Sequence, residues 1–440
     1  MKRILLFVFT FFLISNLKAQ QLISATFLEH RSLAQLQATY GPFMQWAVDL
    51  YKINYTTPDL NGMNDTASAL VVVPVGPDRV FPLLCYQHGT VGSREDVPSN
   101  LRGGYQLAVV YGGFGFVAGA PDYLGLGDSR GFHPYVHAET EASAGVDMLF
   151  AIREMATQES FNINDQLFIM GYSQGGHAAA ALHRSLEEDY AEDFTVTASA
   201  PMSGPYSISG EMKKAILSEE EYFFPAYLQY TSLSYNEVYG LYEETEDFFK
   251  QPYADMMDQF YREEIDLGDL NGMLIDQLID DFGASITKLM IQDSVLEAVV
   301  SNENHAVNIA LRDNDVYDWI PQAPTRLYYC EADEQVAFEN SVFADSVMNA
   351  HGAADVMAIN LDPDLDHGGC VEPAVIASLF FFSPLMDIGY ILNTGEEKLP
   401  DISYYPNPVK DRLYLENVPA DATYVLLDSQ GKRILQGRFT

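Results

Sequence analysis

Residues 166–185, Gln-Leu-Phe-Ile-Met-Gly-Tyr-Ser-Gln-Gly-Gly-His-Ala-Ala-Ala-Ala-Leu-His-Arg-Ser, constrain the fold more than any other stretch. The apolar run 167–170 has the pattern of a buried strand, and the alanine-rich run 175–185 that of a helix. The chain must turn sharply between them, with Ser173 at the apex and Gly171 and Gly175 two residues to either side. A serine at such an apex sits in a strained backbone conformation, and larger flanking residues would collide there. The turn lifts its hydroxyl clear of the sheet and aims the Gln174 N–H, at the start of the helix, toward a bound substrate. Gly-x-Ser-x-Gly alone is a weak signal, because both residue types are common. The strand before it and the helix after it give it weight, against the plain alternative of a glycine-rich turn with an idle serine.

The flanking sequence repeats this rhythm. Runs 50–56 and 67–75, with Asn61-Gly62 between them, predict an antiparallel hairpin after a helical or irregular lead-in over 24–45. Run 80–86 predicts a strand ending at Gln87-His88-Gly89-Thr90, and 105–111 a short helix. A strand over 114–120 breaks at Pro121-Asp122-Tyr123-Leu124-Gly125-Leu126-Gly127, and a helix follows over 138–157. After the Ser173 unit come strands at 194–200, 326–330 and 355–360, a helix at 337–350 and a last helix at 371–380. Strands alternating with helices predict an α/β fold, a mostly parallel sheet with helices on both faces. The rhythm is interrupted over 207–318, an acidic, aromatic and helical stretch that reads as an insertion with its own core. The main domain is thus expected over 21–390, and 391–440 as a linker and small β module.

The chain starts Met1-Lys2-Arg3, followed by an apolar run to Ile14 and a polar stretch ending at Ala19-Gln20. This predicts a signal peptide over 1–20, too short to span a bilayer and without a cysteine for a lipid anchor. No later segment reads as long and apolar enough to span. The formal charge of −38 excludes nucleic acid and anionic membrane surfaces as partners, and reads as a solvated acidic surface. The three cysteines, Cys85, Cys330 and Cys370, fit no zinc spacing.

A serine nucleophile needs a base, and the base an acid that fixes its tautomer. In an α/β-hydrolase they follow in the order nucleophile, acid, histidine, each just after a strand. Asp333, after the 326–330 strand, and His367, in the loop 362–369 after the next one, satisfy both conditions. Glu331 and Glu334 stay open as the acid. His88, His133 and His137 precede the serine, His177 and His183 lie on the helix after it, and His305 and His351 lie in the insertion and at a helix end. As base, His367 must be neutral, so the rate should fall in acid. The oxyanion hole is expected from the N–H groups of Gln174 and Thr90. No metal or organic cofactor is required. If the two catalytic loops meet, a Cys330–Cys370 disulfide becomes geometrically feasible.

Pro121 to Gly127, His133-Pro134-Tyr135, Gly171-Tyr172-Ser173-Gln174-Gly175-Gly176, Ala332-Asp333-Glu334-Gln335-Val336 and Asp366-His367-Gly368 together resemble the secretory lipase family of α/β-hydrolases over about 45–385. The resemblance implies ester hydrolysis through an acyl-enzyme, with a small-molecule ester or lipid as substrate and a cap formed by the insertion. Ile402-Ser403-Tyr404-Tyr405-Pro406-Asn407-Pro408-Val409 and the run 424–432 resemble a truncated C-terminal sorting domain of type IX secretion. That implies a small β-sandwich, the secretion machinery as partner, and a secreted or cell-surface location. The alternatives are a serine peptidase of the same fold and a binding protein on a non-catalytic scaffold.

Overall fold

The computed structural model describes residues 21–390, Pro77 excepted, and within 391–440 the backbone of four short strands. The expected signal peptide over 1–20 and the linker after residue 390 lie outside the described residues. The chain divides into two units, Met1–Gly389 and Tyr390–Thr440. In the second, Ser403–Tyr405 pairs antiparallel with Tyr414–Glu416, and Thr423–Leu427 with Arg433–Arg438.

The first unit is built on strands β1 (Leu22–Arg31), β2 (Val48–Pro58), β3 (Asn64–Pro74), β4 (Arg79–Gln87), β5 (Val117–Pro121), β6 (Asn162–Tyr172), β7 (Thr195–Met202), β8 (Thr325–Tyr329) and β9 (Val356–Asn360). They lie in the order β1-β2-β3-β5-β4-β6-β7-β8-β9. The first three pair antiparallel, β3 pairs antiparallel with β5, and from β5 to β9 every pairing is parallel. This is an α/β-hydrolase fold. Helices α1 (Leu33–Tyr40), α2 (Gln106–Phe114), α3 (Ala138–Gln158) and α4 (Gln174–Glu188) belong to its first half.

The period-two alternation of β6 explains how both faces are covered. Phe168 and Met170 enter a core with Phe116 and Phe382, whereas Leu167 and Ile169 enter the opposite core with Val146, Leu149 and Leu182. All four β6 side chains are buried, each contributing about 1.5–3 kcal/mol relative to exposure. The alanines 178–181 keep the first turns of α4 slim enough to pack closely, and all four are buried.

Between β7 and β8 the chain forms α5 (Lys213–Ile216), α6 (Ala226–Tyr239), α7 (Tyr253–Tyr261), α8 (Leu267–Phe282), α9 (Asp293–Ser301) and α10 (Ala306–Asp313). They share a core of their own around Tyr235, Phe249, Leu270 and Leu274. After β8 come α11 (Glu339–Ala350) and, after β9, α12 (His367–Phe382).

Three details differ from the sequence reading. The lead-in holds helix α1 as expected, but ahead of it lies strand β1, hydrogen-bonded to β2 with register shifts at two places. Most of its side chains are partly exposed, so it carries little hydrophobic alternation and is held by pairing. The last helix begins four residues earlier than expected. Asp366 caps it, its Oδ1 accepting the Gly369 N–H at 2.7 Å, so His367 is the first helical residue rather than a loop residue. Finally, a later segment does reach membrane-spanning length and composition, His367–Leu385 with mean hydropathy 1.4. It reads as a core helix, since Cys370, Ala374, Leu379 and Phe382 on it are buried in the same core as β6.

Candidate active site

Ser173 stands between β6 and α4 with φ 62° and ψ −124°. A non-glycine residue there carries on the order of 1–3 kcal/mol of strain, so its surroundings must hold it. Its N–H donates to Met202 O at 3.0 Å and its carbonyl accepts from the Gly176 N–H at 2.8 Å. A Cβ on Gly171 would lie 2.0 Å from Gly175 O, and one on Gly175 would lie 2.0 Å from Gln87 O. Both obstacles are backbone, which cannot rotate away, so the glycines are required by close approach. As the first residue of α4, Gln174 has a main-chain N–H without an intrahelical partner.

The β4 loop runs beside this turn. A Cβ on Gly89 would stand 3.8 Å from Ser173 Cβ and 3.3 Å from Tyr172 O. Thr90 follows, its hydroxyl hydrogen-bonded to Tyr135 Oη at 2.9 Å. The Pro121–Gly127 loop braces this one from behind. Asp122 is fully buried, accepts from Ser68 Oγ at 2.6 Å and Ser99 N–H at 3.0 Å, and is pushed up to about 6 by burial. Tyr123 donates to His88 O at 3.0 Å.

Asp333 and His367 meet. His367 Nδ1 lies 2.7 Å from Asp333 Oδ2, and Asp333 Oδ1 accepts the N–H groups of Gln335 and Val336 at 3.0 and 2.8 Å. Both side chains are nearly buried. The other two acids take different tasks. Glu334 Oε2 accepts the main-chain N–H of His367 at 2.9 Å, and Glu331 accepts from Asn360 Nδ2 at 3.1 Å. Tyr172, next to Ser173, donates to His367 O at 2.7 Å, with ring centroids 5.0 Å apart. A disulfide joins Cys330 to Cys370, three residues before Asp333 and three after His367, and Cys85 is free and buried.

Ser173 and Gln174 open into an apolar cavity walled mostly by the insertion, including Ile208, Met212, Leu241, Leu296 and Leu311. Of the aromatic stretch 222–242, Tyr222, Tyr227 and Tyr235 reach it. Phe223 is half-exposed and Phe224 stacks on Tyr227, and neither is on the wall. The aliphatic residues that do form it were not singled out by sequence, because they are spread over separate turns, loops and helices of the insertion and share no local motif. Tyr222 and Tyr227 tie the insertion to the Asp333 loop through Gln335, at 2.8 and 2.9 Å.

The other histidines have partners other than Asp333. His133 is buried and pushed down to about 3, and His137 to about 4, chiefly by burial. His305 caps α10. Among the described residues no group of three or more His, Cys, Asp or Glu side chains could hold a metal ion.

A model of the secretory lipase family matches residues 107–373. The chain is 28% identical to a Legionella pneumophila protein assigned as a hydrolase, covering 83% of this chain and 98% of that one at a TM-score of 0.75. It is 26% identical to the rice cell wall degrading esterase LipA of Xanthomonas oryzae, covering 82% and 95% at a TM-score of 0.71. Candida antarctica lipase A, at 14% identity over 83% and 81% with a TM-score of 0.62, shares the fold. No curated protein matches the chain.

Proposed function

The chain belongs to the secretory lipase family and is a carboxylic-ester hydrolase, and from that premise we propose that it works through an acyl-enzyme on Ser173. The observation that carries this reading is a strained serine opening into an apolar cavity, beside a histidine–aspartate pair held by its neighbour Tyr172. In this mechanism Ser173 Oγ attacks the ester carbonyl as His367 Nε2 takes its proton. Asp333 holds Nδ1–H and stabilises the imidazolium. The N–H groups of Gln174 and Thr90 receive the oxyanion. His367 then protonates the leaving alcohol, and water repeats the sequence to release the acid.

The insertion acts as a cap over 207–318 whose aliphatic wall takes the acyl chain. Activity against a chain-length series of p-nitrophenyl esters, with a peptide amide as control, tests the ester assignment. Leu296→Trp should narrow the cavity. With about 0.8 kcal/mol per buried methylene, loss of two methylene sites lowers kcat/KM for long relative to short esters about tenfold. An unchanged ratio would remove the cap from substrate choice. Phe223→Ala, off the wall, leaves the ratio as it was.

Export follows from the same reading, through the signal segment 1–20 and the type IX-like motifs after residue 402. A chain lacking 391–440 is expected to remain with the cells, and its appearance in the medium at full yield would refute the sorting role.

A further inference from the structure

Behind the proposed oxyanion donor lies a buried chain of polar groups that the mechanism above does not use. The Gln174 side chain, 2% exposed, places Nε2 at 2.9 Å from both His133 Nε2 and Glu141 Oε1. Glu141, fully buried on α3, reaches His177 Nδ1 with its other oxygen at 2.7 Å. The two ends are main-chain carbonyls: His133 Nδ1 is 2.7 Å from Leu124 O, and His177 Nε2 is 2.8 Å from Asn314 O.

Carbonyls only accept, and this fixes the ring hydrogens that face them. His133 carries its hydrogen on Nδ1, and burial keeps it neutral, so its Nε2 lone pair accepts from the Gln174 amide. The second amide hydrogen donates to Glu141. Turned over, the amide carbonyl would face a lone pair and a carboxylate oxygen, so Gln174 has one orientation. His177 donates through Nε2–H, and one further proton is shared between its Nδ1 and Glu141 Oε2. One carboxylate therefore grips both Gln174 and His177, the first and fourth residues of α4.

We propose that Glu141 is a positioning residue that aims the Gln174 main-chain N–H at the oxyanion by clamping the first turn of α4. This rests on the reading of Ser173 as nucleophile with Gln174 in the oxyanion hole. An oxyanion donor works only within a few tenths of an ångström of its required place, and its outright removal costs about 10²–10³ in kcat. Loosening it without removing it costs less.

Gln174→Met keeps the main-chain N–H and deletes the clamp. Its kcat, per site titrated with an organophosphonate, should fall about 10- to 100-fold with KM within about threefold. Glu141→Gln can satisfy every partner, its carbonyl accepting from Gln174 and its amide donating to a neutral His177, so it should stay within about threefold of wild type. Glu141→Ala should match Gln174→Met and add nothing in the double variant. If Glu141→Ala does not fold, the other two decide. A merely structural role would lower stability and leave kcat per titrated site alone. Wild-type kcat in Gln174→Met, or a Glu141→Gln enzyme as slow as Gln174→Met, overturns the proposal. Should Ser173→Ala stay active, the underlying reading falls instead, whereas an inactive Ser173→Ala beside a fast Gln174→Met removes the clamp alone.

Discussion

Ser173→Ala is expected to lower kcat for ester hydrolysis about 10⁴- to 10⁶-fold, or about 5–8 kcal/mol of transition-state stabilisation, while the protein stays folded. The substitution deletes only the hydroxyl. The main-chain N–H to Met202 O and the carbonyl contact with Gly176 that hold the turn remain, and alanine tolerates φ 62° no worse than serine. Thermal unfolding should therefore change little. What remains is catalysis by binding and the oxyanion donors with water as nucleophile, which is why the loss has a floor. Turnover near wild type in a folded variant would show that another group attacks the ester.

How far the sequence foretold the molecule depends on whether the information was local. The β6–Ser173–α4 turn was legible because strand, glycines and helix lie within twenty consecutive residues. Asp333 and His367 were legible as positions after strands, but which of Glu331, Asp333 and Glu334 lies against the His367 ring was not, since all three share one turn. β1 was missed because an edge strand held by pairing has no apolar face to betray it. The cavity wall was not legible, because it is mainly aliphatic and its residues are scattered along the insertion. The Glu141 chain was missed because its members come from four places that only the fold brings together. One signal was present: Glu141 falls in the stripe Ala138, Ala142, Gly145 of α3, where a charge on a buried face requires a partner. His177 was judged only as a base and set aside, although a buried histidine can serve by holding a carboxylate.

The acid invites the sharpest test, because Asp333→Asn and Glu334→Gln differ only in which hydrogen bond of His367 they touch. Asp333 Oδ1 accepts two main-chain N–H groups, from Gln335 and Val336, while Oδ2 accepts from His367 Nδ1. An asparagine must keep its carbonyl on the two N–H groups, because its amide there would face two donors. Its NH₂ then points at His367 Nδ1, which can only accept it as a lone pair. The imidazole proton moves to Nε2, the atom that must take the proton of Ser173, and the base is disabled with its geometry intact. A loss on the order of 10⁴ in kcat is expected, without a large loss of stability. In Glu334→Gln the side-chain carbonyl can still accept the main-chain N–H of His367, and that bond involves no ring nitrogen. Its kcat should stay within about tenfold of wild type. The disulfide between Cys330 and Cys370 ties the Asp333 and His367 segments together in both variants, so neither should let the segments drift apart. If Glu334→Gln proves as slow as Asp333→Asn, or Asp333→Asn keeps more than about a tenth of wild-type turnover, the histidine does not depend on Asp333 for its tautomer and the assignment of the acid is wrong.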